Sequence, residues 1–378
     1  MKRTLFFLAG AAALIAGCSA PEGYVLTGEV PEAWEGKPVV LYTADAGALQ
    51  AVDSTKVADG GFRFAGRFEQ PRRCVGVVYL DPGKRDDPRM AVDFTVWLDS
   101  TAVAAVCDAS QRDPVWSVTG GALQSRMETF RKADESLAAE QSRAFAAYTR
   151  AFYNDDDPQR GIELARRVTE KRRQRNELAM RTIAEDPRSV AGLSLLQELC
   201  DTPGELERAE LAALFDGLSP EVRESEAGRY TGEKVRSKRM LVGEPLPDVE
   251  LDDADGASRR LKECLRPGHV TLIELWASWC MPCRGDMPYV KQAYDLYRSR
   301  GFDIVSVSVD RDEARWREAL AEERMPWLQL RDSGSRCFGL FETTGVPTAI
   351  LVDGEGRIIH LNARGGWLFG ALREIYGR

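Results

Sequence analysis

The sequence predicts a multi-domain chain: an all-β sandwich or barrel, then a helical middle segment, then an α/β domain. Three observations carry this. The chain has 378 residues, too many for one ordinary domain. Its hydrophobic period changes, from short alternating runs, to apolar residues three and four apart, to apolar runs set between helical stretches. A proline-rich break, Gly243-Glu244-Pro245-Leu246-Pro247-Asp248, separates the second kind from the third. An apolar share of 44% permits sizeable cores. The formal net charge of −8 disfavours nucleic-acid binding as the main activity.

Residues 1–17 read as a targeting segment. Lys2 and Arg3 give a positive start, and Leu5 to Ala16 is an apolar run too short to span a bilayer comfortably. The run ends Leu14-Ile15-Ala16-Gly17-Cys18, which resembles the bacterial lipoprotein signal. The resemblance implies cleavage before Cys18, lipid on that cysteine, and residues 18–23 as anchor and tether. Eight cysteines are present; without Cys18, Cys280 and Cys283, five remain, an odd number. Cys74, Cys107, Cys200, Cys264 and Cys337 therefore read as buried small hydrophobes, with a Cys74–Cys107 bridge left open.

Residues 24–120 form the β-domain. Tyr24–Gly28, Pro38–Tyr42, Phe62–Phe68, Cys74–Leu80, Phe94–Leu98, Ala102–Cys107 and Trp116–Thr119 read as strands. Asp59-Gly60-Gly61 is a turn, and Pro82 to Pro88 a polar loop. Residues 121–242 form the helical linker segment, read as four or so helices. Asn154-Asp155-Asp156-Asp157-Pro158 supplies a helix start, and Asp186 to Ser189 and Asp201 to Gly204 are further breaks. The basic cluster from Arg166 to Arg175 is interleaved with Glu163, Glu170 and Glu177, so it reads as a solvated helix face.

Residues 243–378 form the last domain. A hairpin at 249–261 leads to strand Val270–Trp276, a helix from Met281, and strand Phe302–Val309. Helix Glu313–Glu323, a short helix near Ser335–Phe341, strands Thr348–Val352 and Arg357–Leu361, and a closing helix from Gly366 follow. This order indicates a mixed sheet with helices on both faces.

At the junction of the first strand and helix stands Trp276-Ala277-Ser278-Trp279-Cys280-Met281-Pro282-Cys283-Arg284. Two cysteines two residues apart, at a helix N-terminus, suit dithiol/disulfide chemistry. Unpaired N–H groups and the helix dipole favour a thiolate at Cys280, the nucleophile, and Cys283 is the resolving thiol. Pro282 rigidifies the first turn, where N–H groups lack helical partners anyway. Glu274, in an otherwise apolar strand, predicts a buried carboxylate with raised pKa, able to move protons near neutral pH. A zinc site is disfavoured because no second cysteine pair stands nearby and the two histidines, His269 and His360, are not spaced as a pair.

With Thr344-Gly345-Val346-Pro347-Thr348 about 65 residues later, this stretch resembles thioredoxin-like thiol:disulfide oxidoreductases of the TlpA and ResA kind. The resemblance covers residues 243–378 and implies a thioredoxin-like fold. It implies a cis Pro347 facing the cysteines, a Val346 backbone that pairs with substrate, and a role for Glu274 in deprotonating Cys283. Trp279, Met281 and Pro282 join Val346 and Pro347 as substrate-binding candidates. Asp286 stands where the family often has glutamate, and Arg284 either favours the thiolate or faces solvent. Residues 24–120 resemble the small β-domain that often precedes such domains in envelope lipoproteins.

The expected function is thiol–disulfide exchange on protein substrates as a reductant, with no cofactor beyond the Cys280–Cys283 disulfide and no metal. The expected location is the periplasmic face of the cell envelope, lipid-anchored and served by a membrane thiol-disulfide electron donor. One alternative is a binding or scaffolding lipoprotein with an auxiliary redox domain. The other is a thiol peroxidase, against which the Trp-Cys-x-x-Cys setting stands.

Overall fold

A computed structural model describes residues 23–43, 49–84, 87–110, 113–202 and 206–377. The targeting segment 1–17, Cys18 and all of the tether but Gly23 lie outside the described residues, as do Arg85, Asp86, Pro203 and Gly204 of the expected loop and break. The chain divides into two compact units between Glu128 and Thr129.

Among the described residues the first unit holds eight strands: β1 (Tyr24–Glu29), β2 (Pro38–Thr43), β3 (Gln50–Lys56), β4 (Gly61–Gly66), β5 (Arg72–Tyr79), β6 (Ala91–Leu98), β7 (Ala102–Asp108) and β8 (Val115–Thr119). They form two four-stranded sheets, ordered β4-β1-β7-β8 and β3-β2-β5-β6. Alternate residues of both sheets point inward: Leu26, Phe64 and Val103 from one, Leu41, Val78 and Val96 from the other, all in one core. This is a sandwich. Strand β3 has no counterpart in the sequence reading. It is a sheet edge whose residues are nearly all exposed, so it shows no alternation to detect. Cys74 and Cys107 lie in different sheets, and the bridge left open between them is not formed.

Helix α1 (Ala122–Thr149) runs into a π-helical turn, Arg150–Asn154, and then α2 (Pro158–Glu185). The aspartate run ends the turn and starts the helix: the Arg160 N–H donates to Asp157 Oδ1 at 3.0 Å, and Pro158 occupies the first turn. Helices α3 (Val190–Asp201), α4 (Arg208–Asp216), α5 (Pro220–Glu224) and α6 (Glu226–Ser237) follow. The described segment thus has six α-helices rather than four or so. The extra divisions fall at Ser219-Pro220 and Ser225, on either side of α5, which at five residues is too short to show a period.

The α/β part adds β9 (Glu250–Asp253), β10 (Ser258–Arg260), β11 (Val270–Trp276), α7 (Met281–Tyr297), β12 (Phe302–Ser308), α8 (Glu313–Glu323), β13 (Leu328–Arg331), α9 (Arg336–Leu340), β14 (Thr348–Val352), β15 (Ile358–Leu361) and α10 (Gly365–Tyr376). One seven-stranded sheet results, ordered β10-β9-β13-β12-β11-β14-β15. Central β11 pairs in parallel with β12 and antiparallel with β14. The four-residue β13 was not anticipated, being too short for a legible alternation. Ile273 and Leu275 face one core with Met240, Leu246, Leu261 and Cys337. Leu272 faces the other.

That second core is shared. Tyr148, Phe152, Ile162 and Ala165 of the helical segment pack with Leu272, Met287 and Val290, and with Leu368, Phe369 and Leu372 of α10. The segment is therefore one wall of the α/β domain rather than a free link. The wall needs Gly161 on α2: a Cβ there would meet the Phe152 ring at 2.4 Å. Phe152 is fully buried. Phe152→Ala is expected to lower unfolding stability by about 3–5 kcal/mol. Urea denaturation monitored by tryptophan fluorescence measures it; a loss below about 1 kcal/mol would contradict a shared core.

Candidate active site

Four residues, 277–280, turn the chain from β11 into α7. The turn is held from β12's end: the Ser278 N–H and hydroxyl donate to Asp310 Oδ2 and Oδ1, both at 2.8 Å, and Ser308 Oγ donates to Asp310 Oδ2 at 2.8 Å. Asp310 is buried, and sequence reading missed it. A polar residue just beyond a strand is an ordinary loop signal, and only the fold brings it under Ser278.

Cys280 is the N-cap of α7, and its Sγ accepts the Cys283 N–H at 3.2 Å. Pro282 lies in the first turn. The two sulfurs form a disulfide, with 5.3 Å between Cα atoms. Trp276, Ala277, Val309, Trp316 and Ala319 pack around the pair, with Val346 against them. The Val346–Pro347 bond is cis, as the resemblance implied. Thr343 and Thr348 hydroxyls both donate to Gly345 O, at 3.2 and 2.9 Å, which ties the loop before Pro347 to the start of β14.

Cys280 is 4% exposed and Cys283 0%, whereas Trp279 and Met281, on either side of Cys280, are 62% and 75% exposed. Two large apolar side chains are thus exposed to water on either side of this sulfur. A thiol at a helix N-terminus is biased toward the thiolate. Cys107, Cys200, Cys264 and Cys337 are biased against it: burial pushes Cys107 and Cys200 up to about 11, and burial also raises Cys264 and Cys337.

Glu274 is buried, 3% exposed, on the Leu272 side of β11. It accepts from Ser306 Oγ at 3.0 Å, and Ser306 Oγ accepts from Trp327 Nε1 at 2.8 Å. Burial raises its carboxyl from 4.5 to about 7; the Ser306 bond opposes the rise and the charge of Asp286 adds to it.

Asp286, three residues after Cys283, is buried too, but well partnered. Tyr153 Oη donates to Oδ1 at 2.8 Å, and Arg364 Nε donates to Oδ2 at 2.7 Å. Tyr153 comes from the π-helical turn, where no sequence signal marks it. Burial holds its phenol protonated far above the ordinary tyrosine range. Gly365, at φ +49°, leaves the space these tyrosines need: a Cβ there would lie 2.3 Å from Tyr148 Oη and 2.9 Å from Tyr153 Oη. Arg284 neither faces open solvent nor points its charge at the sulfurs unopposed. It donates to Glu323 at 2.8 Å and Glu322 at 2.7 Å on α8. His269 Nδ1 lies 2.7 Å from Asp303, a structural pairing. Among the described residues no group of three or more His, Cys, Asp or Glu is arranged to hold a metal ion.

Residues 241–365 match the Redoxin family, and residues 24–127 match a domain family of unknown function, DUF4369. A thiol-disulfide oxidoreductase ResA of Bacillus cereus is 25% identical over 130 residues, covering 34% of this chain and 74% of that protein. ResA of Geobacillus kaustophilus is 25% identical over 129 residues, covering 34% and 73%. A thioredoxin-domain crystal structure from a Bacteroides vulgatus thiol-disulfide oxidoreductase is 29% identical, covering 36% of this chain and 97% of that one, with a TM-score of 0.34. Fold and cysteine pair together make the C-terminal domain a thioredoxin-like thiol-disulfide oxidoreductase. Within that class it is similar to the ResA proteins.

Glu274 gives the site a pH signature. A carboxyl that binds its proton at about 7 when folded and 4.5 when exposed makes the folded chain hold more protons between those values. Its stabilising contribution is therefore full below about pH 4.5 and is lost as pH rises through about 7. Glu274→Gln is expected to gain up to about 3 kcal/mol on the oxidised wild type between about pH 5 and about pH 8. Denaturation midpoints across that range test this; a pH-independent difference would place the titration elsewhere.

Proposed function

We propose that this protein exchanges disulfides with protein substrates in the cell envelope, acting as a reductant through Cys280 and Cys283, and that lipid on Cys18 anchors it facing the periplasm. The observation that carries the exchange chemistry is the cysteine pair at the start of α7, with Cys280 Sγ on the Cys283 N–H and Val346 packed against the cluster that holds both. The reductant direction rests on analogy with the resembled family. Among the described residues no helix is long and apolar enough to cross a membrane, so the proposed anchor rests on the sequence around Cys18.

In the reduced protein the Cys280 thiolate attacks one sulfur of a substrate disulfide. That S–S bond breaks, the departing substrate thiolate takes a proton, and a Cys280–substrate disulfide forms. Glu274 receives the Cys283 proton, directly or through water. The Cys283 thiolate attacks Cys280 Sγ, the mixed disulfide breaks, and the second substrate thiolate leaves and is protonated. Two electrons have passed to the substrate, and the chain holds the Cys280–Cys283 disulfide. A membrane thiol-disulfide carrier then reduces it. Trp279, Met281 and Pro282 contact the substrate on one side of the sulfur. Val346 and Pro347 contact it on the other.

Cys280→Ser is expected to abolish reduction of an insulin-type disulfide substrate, and Cys283→Ser to accumulate a mixed disulfide with substrate, identified by mass spectrometry. Full activity in Cys280→Ser would overturn the mechanism. For Glu274, single-turnover release from the mixed disulfide is expected to slow below about pH 7 in the wild type, and Glu274→Gln to lose that limb with a rate reduced about 100-fold or more. An unchanged pH profile would remove Glu274 from the proton path.

A further inference from the structure

The strap that carries the cis proline borders two environments. Val346 packs against the cysteine cluster. Its neighbour Pro347 lines a cavity of about 320 Å³. The inner wall of that cavity is Pro347, Ile350 and Leu361 of the α/β domain, with Phe341. Its outer wall is Met240, Lys238 and Asp201, all contributed by the helical segment.

The charges at this cavity are spoken for. Lys238 Nζ lies 3.4 Å from Glu342 Oε2, and Glu342 also accepts the Arg239 and Met240 N–H groups at 2.9 and 3.5 Å. Asp201 pairs with Lys234 at 2.6 Å. The Thr343 and Thr348 hydroxyls are held by Gly345 O. What remains to meet a ligand is apolar: Met240, Phe341, Ile350 and Leu361. At the rim, the Asn362 carboxamide makes no side-chain hydrogen bond among the described residues and can address a peptide group. A charged ligand group would lose water and find no unpaired counter-charge.

We infer that this cavity is a specificity subsite that takes one large uncharged side chain, aromatic or branched aliphatic, of the substrate polypeptide within a few residues of its reactive cysteine, with Met240 of the helical segment as its outer wall. The inference rests on the disulfide-exchange reading above. The occupant is a polypeptide because the cavity begins at the residue beside Val346. An extended chain advances about 3.3 Å per residue, so one whose cysteine reaches Cys280 passes the cavity within a few positions. The volume is at the small end of ligand pockets, fit for a side chain rather than a cofactor.

The test uses the full chain, reduced and freed of reductant, against short peptides that carry one cysteine as a glutathione mixed disulfide. Each peptide places Gly, Leu, Phe, Lys or Glu at one position within three residues of the cysteine. At one of these positions Leu or Phe is expected to exceed Gly, Lys and Glu in kcat/KM by about tenfold or more, carried mainly by KM. Met240→Ala is expected to bring that ratio below about threefold, and Met240→Leu to keep it; thermal melting checks that both fold. The ratio is read within each variant, so partial loss of active protein does not affect it. Rates equal within about twofold across the series, or a preference for Lys or Glu, would overturn the subsite while leaving Cys280-dependent exchange standing. A full ratio in Met240→Ala would remove the helical wall from it. If no peptide is reduced, the exchange reading fails and the subsite with it.

Discussion

Helix α7 must be open at one end and buried along one side. Its first turn presents a sulfur for exchange, while Cys283, Asp286, Met287, Val290, Ala293 and Tyr297 recur three and four apart on a face closed to water. Five of these side chains can be covered by apolar neighbours. Asp286 cannot: a buried carboxylate needs donors, or its desolvation is uncompensated. Arg364, at the start of α10, supplies one side, and Tyr153 reaches the other from the helical segment. The aromatic cluster around Tyr148, Phe152 and Tyr289 follows from that meeting, and so do the small residues Gly161 and Gly365 that let the rings approach.

The same unit buries a second carboxylate under opposite terms. Glu274 has a serine hydroxyl, itself held by an indole N–H, and no cation within hydrogen-bond reach among the described residues. One acid is given a guanidinium and a phenol, and the other is left with desolvation as the dominant influence. Separate environments for two nearby carboxyls are how one fold keeps one of them available for proton transfer near neutral pH. The aspartate at 286, shorter than the glutamate common in the resembled family, is suited to its partners here, because the donors come to it. Arg284 is likewise neutralised locally by its pairing with Glu322 and Glu323.

What was legible in the sequence was local or periodic. The cysteine pair, the apolar run of β11 with Glu274 in it, Pro347 in its motif, and the capping aspartates before Pro158 all declare themselves within a few residues. Strand β3 did not, since an exposed edge shows no alternation, and β13 did not, since four residues are too few. The hydrogen bonds that complete the site were invisible for a different reason. Tyr153 and Asp286 are 133 residues apart, and Ser278 and Asp310 are 32 apart. Each is an ordinary polar or aromatic residue until the fold joins them. The role of the helical segment was missed for the same cause: its periodicity predicted helices but carried no mark of what their apolar faces would meet.

That segment changes what the redox domain is. Phe152, Ile162 and Ala165 share a core with Leu272 and Met287, so the strand that carries Glu274 and the helix that carries Cys283 are packed in part by residues from outside the thioredoxin-like sequence. The residues after α6 then pass to the opposite face, where Met240 joins Ile273, Leu275 and Phe341 in the other core. Both faces of the central sheet are thus completed by the same preceding stretch of chain. A substitution in the helical segment therefore reaches the dithiol through packing and through the Tyr153–Asp286 bond, without touching a sulfur. Under the function proposed above, variation in this segment would retune acid–base behaviour at Glu274 and substrate choice beside Pro347 while the cysteine motif stays as it is.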